Sequence, residues 1–315
     1  MKDIRIVFMG TPGFAVSSLK AIIEAKYKVV GVITAPDKPA GRGRKLQQSD
    51  VKKYAKEENL KILQPTNLKS EEFLKELKAL EPDVQVVVAF RMLPQTVWAL
   101  PRFGTFNLHA SLLPQYRGAA PINWSIINGD RETGVSTFFI DDKIDTGAMI
   151  LQEKLSIGEN ENVGQLHDRL MENGARLVVK TLELIQNKKI KTTLQEESET
   201  LKAAPKLTRK NTKIDWQKPV DEIHNLIRGL NPYPAAWCIL ENFSEEFKVK
   251  VFDIEKIKHE HKNEPGSVLI EEKKMVVAAK DGSVNIKEIQ LPGKRKMEVK
   301  ELLNGYTFNS EAKMR

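Results

Sequence analysis

The chain has 315 residues, of which 41% are hydrophobic and one is a cysteine. This length is sufficient for two domains that each bury a core. No apolar run is long enough to cross a bilayer, and charges interrupt residues 1–8, so neither a membrane anchor nor a secretory signal is expected. The lone Cys238 excludes an internal disulfide and a cysteine-based metal cluster, which favours a cytoplasmic protein without a metal.

The charge of the chain is mildly basic and unevenly distributed. Fifty Lys and Arg residues stand against 42 Asp and Glu residues, which gives a net charge of +8. Residues 201–315 hold 22 basic and 17 acidic side chains, so +5 of this charge lies in the last third. This skew is compatible with a phosphate-rich partner, and an ordinary lysine-rich surface is the open alternative.

Strand and helix patterns alternate over the first half of the chain. Apolar runs predict strands at 4–9, 29–34, 84–90, 105–109, 135–140 and 149–155. Helical spacing predicts helices at 14–25, 71–80, 119–128 and 166–185. The alternation predicts an α/β domain with a mainly parallel, doubly wound sheet, in which ligands bind at the carboxyl ends of the strands.

The second half has a different character. Periodicity fails and polar residues dominate between 188 and 213, which we interpret as a linker between a first domain at 1–187 and a second at 214–315. One helix is predicted at 220–230, ended by Asn-Pro-Tyr-Pro. Short strands are predicted at 236–240, 248–254, 268–270, 275–279 and 284–289, which favours a small β-barrel of the OB type.

Three polar residues stand out as candidates for chemistry. Asn107 and His109 are two residues apart on a predicted strand and therefore project from the same face. Asp145 lies in an Asp-Thr-Gly turn between two later strands, where its carboxylate can project from the sheet edge. An amide that stabilises an oxyanion, beside a histidine and a carboxylate that handle protons, suits acyl or formyl transfer. A core histidine and a turn aspartate that caps its own backbone are the structural alternatives.

Of two glycine-containing segments, one is explained by turn geometry and the other favours a binding role. Gly10-Thr-Pro-Gly13 lacks the G-x-G-x-x-G pattern of dinucleotide-binding turns, so its glycines are best explained by turn geometry. Residues 36–46 form a loop with four cations within eight residues, which favours contact with a phosphate backbone. A solvated loop is the alternative, although long loops inside compact domains are more often functional.

Longer motifs add a family resemblance. They are F-M-G-T-P at 8–12, P-D-K-P-A-G-R-G at 36–43, N-L-H-A-S-L-L-P at 107–114, D-T-G at 145–147, I-D-W at 214–216 and I-R-G-L-N-P-Y-P at 227–234. With these motifs the chain resembles the methionyl-tRNA formyltransferase family over nearly its whole length. One departure is Arg91, which stands near the position where the family has a glycine.

The resemblance implies a Rossmann-like formyltransferase domain followed by an OB-like tRNA-binding domain, acting as a monomer. It implies transfer of the formyl group of 10-formyltetrahydrofolate to the α-amine of methionine on initiator tRNA. It also assigns roles by position. The catalytic positions are Asn107, His109 and Asp145, the folate-binding strip is Ser111, Leu112, Leu113 and Pro114, and the tRNA-binding positions are Arg42 and Lys206.

Three other functions compete with this interpretation. A formyltransferase of the same fold could act on a small amine, such as glycinamide ribonucleotide or an amino-sugar nucleotide, but it would need neither the second domain nor the basic loop. A tRNA-binding protein on a decayed enzyme scaffold would not need the three candidate catalytic residues. A nicotinamide-dependent dehydrogenase is disfavoured by the missing glycine fingerprint.

Overall fold

The computed structural model describes residues 2–40 and 45–315. Clustering of contacts divides the chain into two units. The first consists of Met1–Pro121, Thr133–Leu155 and Asp168–Ala203, and the second of Ile122–Glu132, Ser156–His167 and Ala204–Arg315. Two short segments from within residues 1–187 thus belong to the second unit. Within the described residues, no helix combines the length and the apolar character that a bilayer crossing requires.

The elements up to residue 186 include every strand and helix that the apolar pattern predicts there, together with shorter ones that it does not. The strands are β1 (Lys2–Gly10), β2 (Tyr27–Ile33), β3 (Lys38–Ala40), β4 (Lys45–Gln47), β5 (Ile62–Leu63), β6 (Val84–Val88), β7 (Thr105–His109), β8 (Arg117–Gly118), β9 (Glu132–Phe139) and β10 (Met149–Ser156). The helices are α1 (Gly13–Glu24), α2 (Asp50–Glu57), α3 (Glu71–Ala79), α4 (Gln95–Trp98), α5 (Pro121–Ile127) and α6 (Val163–Gln186).

The first unit is built on a seven-stranded sheet with the order β10-β9-β7-β6-β1-β2-β5. The five neighbouring strands β7, β6, β1, β2 and β5 are parallel, and β9 runs antiparallel to β7. Because the order reverses between β1 and β6, this is the doubly wound topology, and the predicted fold class is confirmed. Every residue of β6, Val-Gln-Val-Val-Val, is buried, as expected for a central parallel strand covered on both faces.

Local chemistry explains where several predicted elements begin and end. Strand β6 ends at Val88 rather than at residue 90, because Ala89 takes a positive φ of 47° and leaves the extended conformation. Helix α5 begins at Pro121, where a missing N–H costs nothing in the first helical turn. Helix α2, which the sequence analysis did not predict, begins after Ser49, whose side chain accepts a hydrogen bond from the Lys52 N–H.

The remaining elements follow helix α6. Strand β11 (Ala203–Ala204) lies at the boundary between the two units, and the second unit holds α7 (Val220–Leu230), β12 (Ala236–Asn242), β13 (Glu245–Lys258), β14 (Val268–Glu271), β15 (Lys274–Ala279), β16 (Gly282–Gln290), β17 (Met297–Glu298), α8 (Val299–Leu302) and β18 (Lys313–Met314). Helix α7 has the bounds that the sequence predicts. Its buried face packs with the strand residues into one apolar core that includes Ile223, Ile227 and Val251.

The strands of this unit close almost completely into a barrel. The antiparallel order is β14-β15-β16-β13-β12-β18, and β17 pairs with β16. The two ends meet where Met314 donates to the Gly266 carbonyl at 2.7 Å and Val268 donates to the Ala312 carbonyl at 3.0 Å. Gly266 has a φ of +93°, and a Cβ there would lie 2.3 Å from the Met314 carbonyl oxygen. The predicted barrel of the OB type is confirmed.

Candidate active site

Strand β7 delivers two of the predicted side chains to the carboxyl edge of the sheet. It lies between β6 and β9 and ends at His109. His109 is buried, with 7% exposure, whereas Asn107 is half-buried. Among the described residues, the Asn107 amide has no hydrogen-bond partner, so its N–H groups are available to a ligand at this edge.

The two nitrogens of His109 have different partners. Nε2 lies 2.8 Å from the Tyr116 carbonyl oxygen, which can only accept, so Nε2 carries a hydrogen. Nδ1 faces Asp145 Oδ2 at 3.7 Å, which is longer than a hydrogen bond. Nδ1 is therefore the nitrogen that is able to take up a proton, and the carboxylate beside it stabilises the resulting cation.

Asp145 is held in a tight turn between β9 and β10. Its backbone is left-handed, with a φ of 56°, and its Oδ2 accepts a hydrogen bond of 2.9 Å from the Gly118 N–H. Two residues later, a Cβ on Gly147 would lie 1.7 Å from the Phe139 carbonyl oxygen. The glycine of the Asp-Thr-Gly motif is thus required by a close backbone approach, and the structure brings Asp145 to His109 as the sequence predicts.

The strip from Ser111 to Pro114 is held rigidly by two side chains that the sequence analysis missed. Ser136 Oγ donates to the Ser111 carbonyl at 2.6 Å and accepts from the Leu113 N–H at 3.1 Å. Gln152 Nε2 donates to the Leu113 carbonyl at 2.6 Å and to Ser136 Oγ at 3.0 Å. Polar residues within β9 and β10 carry no sequence signal for this role, because the contact depends on how the strands pair.

The strip presents a mixed face. Ser111 and Leu113 are buried, whereas Leu112 and Pro114 are half-buried. The Leu113–Pro114 peptide bond is cis. An apolar edge of this kind follows directly on the strand that carries Asn107, whose amide is unpartnered in the described part of the chain, and it is suited to a flat ligand with one polar group.

The structure describes one of the two predicted tRNA-binding residues, Lys206, but not the other, Arg42. Arg42 lies outside the described residues, so its role stays a prediction. Lys206 is exposed in the second unit, and its carbonyl accepts a hydrogen bond of 3.1 Å from Asn211 Nδ2. Asn107, His109 and Asp145 belong to the first unit, so the tRNA-binding role of Lys206 also stays a prediction.

A cluster of cations in the second unit was not predicted individually. We call it the Trp237 cluster, and it consists of Trp237, Arg209, Lys213, Lys248 and Lys250. The cationic groups of Arg209, Lys213 and Lys248 lie 5.1, 5.8 and 4.4 Å from the centre of the nearly buried Trp237 ring. Within the described part of the chain, none of the four cations pairs with a carboxylate. Burial and the charges of Arg209 and Lys250 lower the pKa of Lys248, as expected for cations that lack a counter-charge.

Family models match both parts of the chain. The family model described as formyl transferase matches residues 4–182, and the model of the formyl transferase C-terminal domain matches residues 206–307. The chain belongs to the formyl transferase family. The first match contains the whole candidate site of this formyl transferase, and the second contains Lys206 and the Trp237 cluster.

Curated relatives extend over the full length of this formyl transferase. It is 58% identical over 314 residues to the methionyl-tRNA formyltransferase of Flavobacterium johnsoniae, and the alignment covers 100% of both chains. It is 51% identical over 319 residues to the methionyl-tRNA formyltransferase of Bacteroides fragilis, with 100% of this chain and 98% of the relative covered.

Solved structures share the fold at lower identity. The N-formyltransferase from Helicobacter canadensis, in complex with folinic acid and dTDP-3-aminofucose, superposes with a TM-score of 0.67 at 23% identity. The alignment covers 90% of this formyl transferase and 98% of that chain. At this identity the likeness supports the two-domain fold and no more.

Proposed function

We propose that the protein transfers the formyl group of 10-formyltetrahydrofolate to the α-amine of methionine on initiator methionyl-tRNA. The observation that carries this proposal is the 58% identity, over both domains, to a protein named methionyl-tRNA formyltransferase. A small amine as the acceptor is not favoured, since the relatives with such acceptors are far more distant, for example at 23% identity. The reaction makes N-formylmethionyl-tRNA for translation initiation.

The candidate site fits a reduced folate. The locked strip from Ser111 to Pro114 offers an apolar edge for the heteroaromatic ring, and Asn107, whose amide has no partner among the described residues, lies on the strand that directly precedes the strip. The folate supplies an activated formyl group whose carbon accepts the attacking amine. Asn107 donates to the formyl oxygen as negative charge develops there, which is the largest single contribution in reactions of this kind.

His109 and Asp145 manage the proton of the amine. The amine nitrogen bonds to the formyl carbon and must lose a proton, and His109 Nδ1 is the nitrogen free to accept it. The Asp145 carboxylate, 3.7 Å from Nδ1, stabilises the imidazolium that forms. The bond between the formyl carbon and the folate nitrogen then breaks, and the protonated His109 returns its proton to that nitrogen.

The tRNA is held by cations of both domains in this proposal. Arg42 and the rest of the basic loop act at the acceptor end, and Lys206 acts at the start of the second domain. The Trp237 cluster adds cations that have no carboxylate partner among the described residues and can therefore neutralise backbone phosphates. We further infer that the protein acts as a monomer in the cytoplasm, where charged initiator tRNA is found.

Formylation is tested directly. The purified protein is incubated with 10-formyltetrahydrofolate and charged initiator tRNA, and formyl-methionyl ester is measured. We expect product with the wild type and its loss in His109→Ala and Asp145→Ala variants. Product from small amines at equal or higher kcat/KM would replace the proposed acceptor, and failure to bind the folate would overturn the proposal.

The Trp237 cluster is tested by charge reversal. Lys213→Glu combined with Lys248→Glu should raise KM for tRNA and reduce the slope of log affinity against log salt concentration by about 2, because roughly one counterion is released per lysine–phosphate contact. KM for the folate should not change. Lys75→Glu on α3, an exposed lysine of the first unit, is the matched control. An unchanged salt slope in the double variant would exclude the cluster from the tRNA surface.

A further inference from the structure

Gln195 joins the catalytic turn to the segment that follows the first domain's last helix. Its Nε2 donates to the Asp145 carbonyl at 2.9 Å and to the Gly147 carbonyl at 2.8 Å. We propose that Gln195, oriented by Arg117, is a positioning residue that fixes the Asp145 turn for catalysis. This inference rests on the proposed function, because it assigns Asp145 a part in formyl transfer.

Arg117 determines which way the Gln195 amide faces. Its Nε and Nη2 both donate to Gln195 Oε1, at 3.0 and 2.9 Å, and its Nη1 binds Glu197 at 2.8 Å. A guanidinium has only donors, so the oxygen of the Gln195 amide must face Arg117. The two N–H groups of the amide are thereby directed at the backbone carbonyls of the turn.

The segment that carries Arg117 contacts the other catalytic candidates as well. The carbonyl of Tyr116 accepts from His109 Nε2 at 2.8 Å, and the N–H of Gly118 donates to Asp145 Oδ2 at 2.9 Å. Three consecutive residues thus touch the histidine, the glutamine and the aspartate. A displacement of Arg117 would be felt at both proton-handling groups.

The Asp145 turn is supported from outside itself. Asp145 takes a left-handed φ of 56°, a conformation that aspartate adopts more readily than most residues with a side chain. Backbone hydrogen bonds of 2.8 and 2.9 Å between Met149 and Thr193 bring the Gln195 segment alongside the turn. From residue 191 to 200, Gln195 is half-buried while every other residue is exposed, so its side chain is the least exposed of this segment.

The test removes the donors while keeping the size of the side chain. Gln195→Glu keeps the acceptor for Arg117 but places a carboxylate against two carbonyls, and Gln195→Met removes both polar atoms without adding charge. We expect either variant to lower kcat for initiator tRNA by about tenfold to a hundredfold, because small misplacements in an active site cost this much. KM for the folate and for tRNA should stay within about twofold, since neither variant removes an interaction that binds the ground state and the transition state equally.

Controls separate positioning from folding and from the proposed function. Gln290→Glu makes the same change at a half-buried glutamine of the second unit whose Nε2 donates to the Lys294 carbonyl at 2.9 Å, and it should leave kcat unchanged. The effects of Arg117→Ala and Gln195→Ala on kcat should be non-additive when the two are combined, because both interrupt the same chain of hydrogen bonds from Arg117 through Gln195 to the Asp145 turn. Wild-type kcat in Gln195→Met, or additive effects in the double variant, would overturn the inference. An inactive wild type would instead overturn the proposed function.

Discussion

Two asparagines in this protein allow catalytic and structural roles to be separated with the same substitution. Asn107 is half-buried and its amide has no hydrogen-bond partner among the described residues. Asn242 is 3% exposed, accepts from the Asn309 N–H at 2.9 Å and donates to the Thr307 carbonyl at 2.9 Å. Replacement by alanine should therefore lower kcat at Asn107 and lower the free energy of unfolding at Asn242.

The magnitudes follow from these contacts. Asn107→Ala removes one donor from the developing oxyanion, which raises the barrier by about 3–4 kcal/mol and lowers kcat by roughly 10²–10³. Because no protein partner is left unpaired, the free energy of unfolding should change by less than about 1 kcal/mol. Asn242→Ala leaves two protein groups without partners, at about 1–3 kcal/mol each, so the free energy of unfolding should fall by about 2–6 kcal/mol while kcat is retained.

The assay is single-turnover formylation of charged initiator tRNA at saturating 10-formyltetrahydrofolate, with urea unfolding of the same preparations. Folate affinity should stay close to the wild-type value in both variants. Near-wild-type turnover in Asn107→Ala would remove this amide from the chemistry. A parallel loss of stability and activity in Asn107→Ala would show that its role is structural.

Two further predictions concern stability and the catalytic turn. Burial, followed by the charge of Arg228, lowers the pKa of His224 from 6.5 to about 4. As the pH drops below about 6.5, the unfolded chain therefore binds a proton that the folded chain does not, and the free energy of unfolding falls. The loss amounts to about 2 kcal/mol at pH 5 and about 3 kcal/mol below pH 4. His224→Gln should abolish this part of the acid sensitivity in urea unfolding at pH 7.5 and pH 5, and an unchanged difference between the two pH values would contradict the assignment. Gly147→Ala should abolish formylation, because its Cβ would lie 1.7 Å from the Phe139 carbonyl oxygen. Gly305→Ala is the control and should be active, because there is open space around that position. Equal formylation activity of the two variants would refute the steric argument.

Much of the candidate site could be predicted because it depends on short-range regularities. Residues two apart on a strand share a face wherever that strand lies, so Asn107 and His109 could be paired before the fold was known. The Asp-Thr-Gly turn between two strand patterns likewise indicated a carboxylate at a sheet edge. Ser136, Gln152 and Gln195 could not be found this way, since each acts on a backbone group far away in the chain.

The sequence by itself determined the main strands and helices, the doubly wound class of the first domain and the bounds of helix Val220–Leu230, because apolar periodicity and turn residues act locally. Only the tertiary structure decided how the barrel closes, since the two-residue strand Lys313–Met314 has no periodicity and is defined by its partners. Only the tertiary structure showed that His109 Nδ1, rather than Nε2, faces Asp145. Both depend on contacts between residues far apart in the chain, and local sequence patterns do not encode those distances.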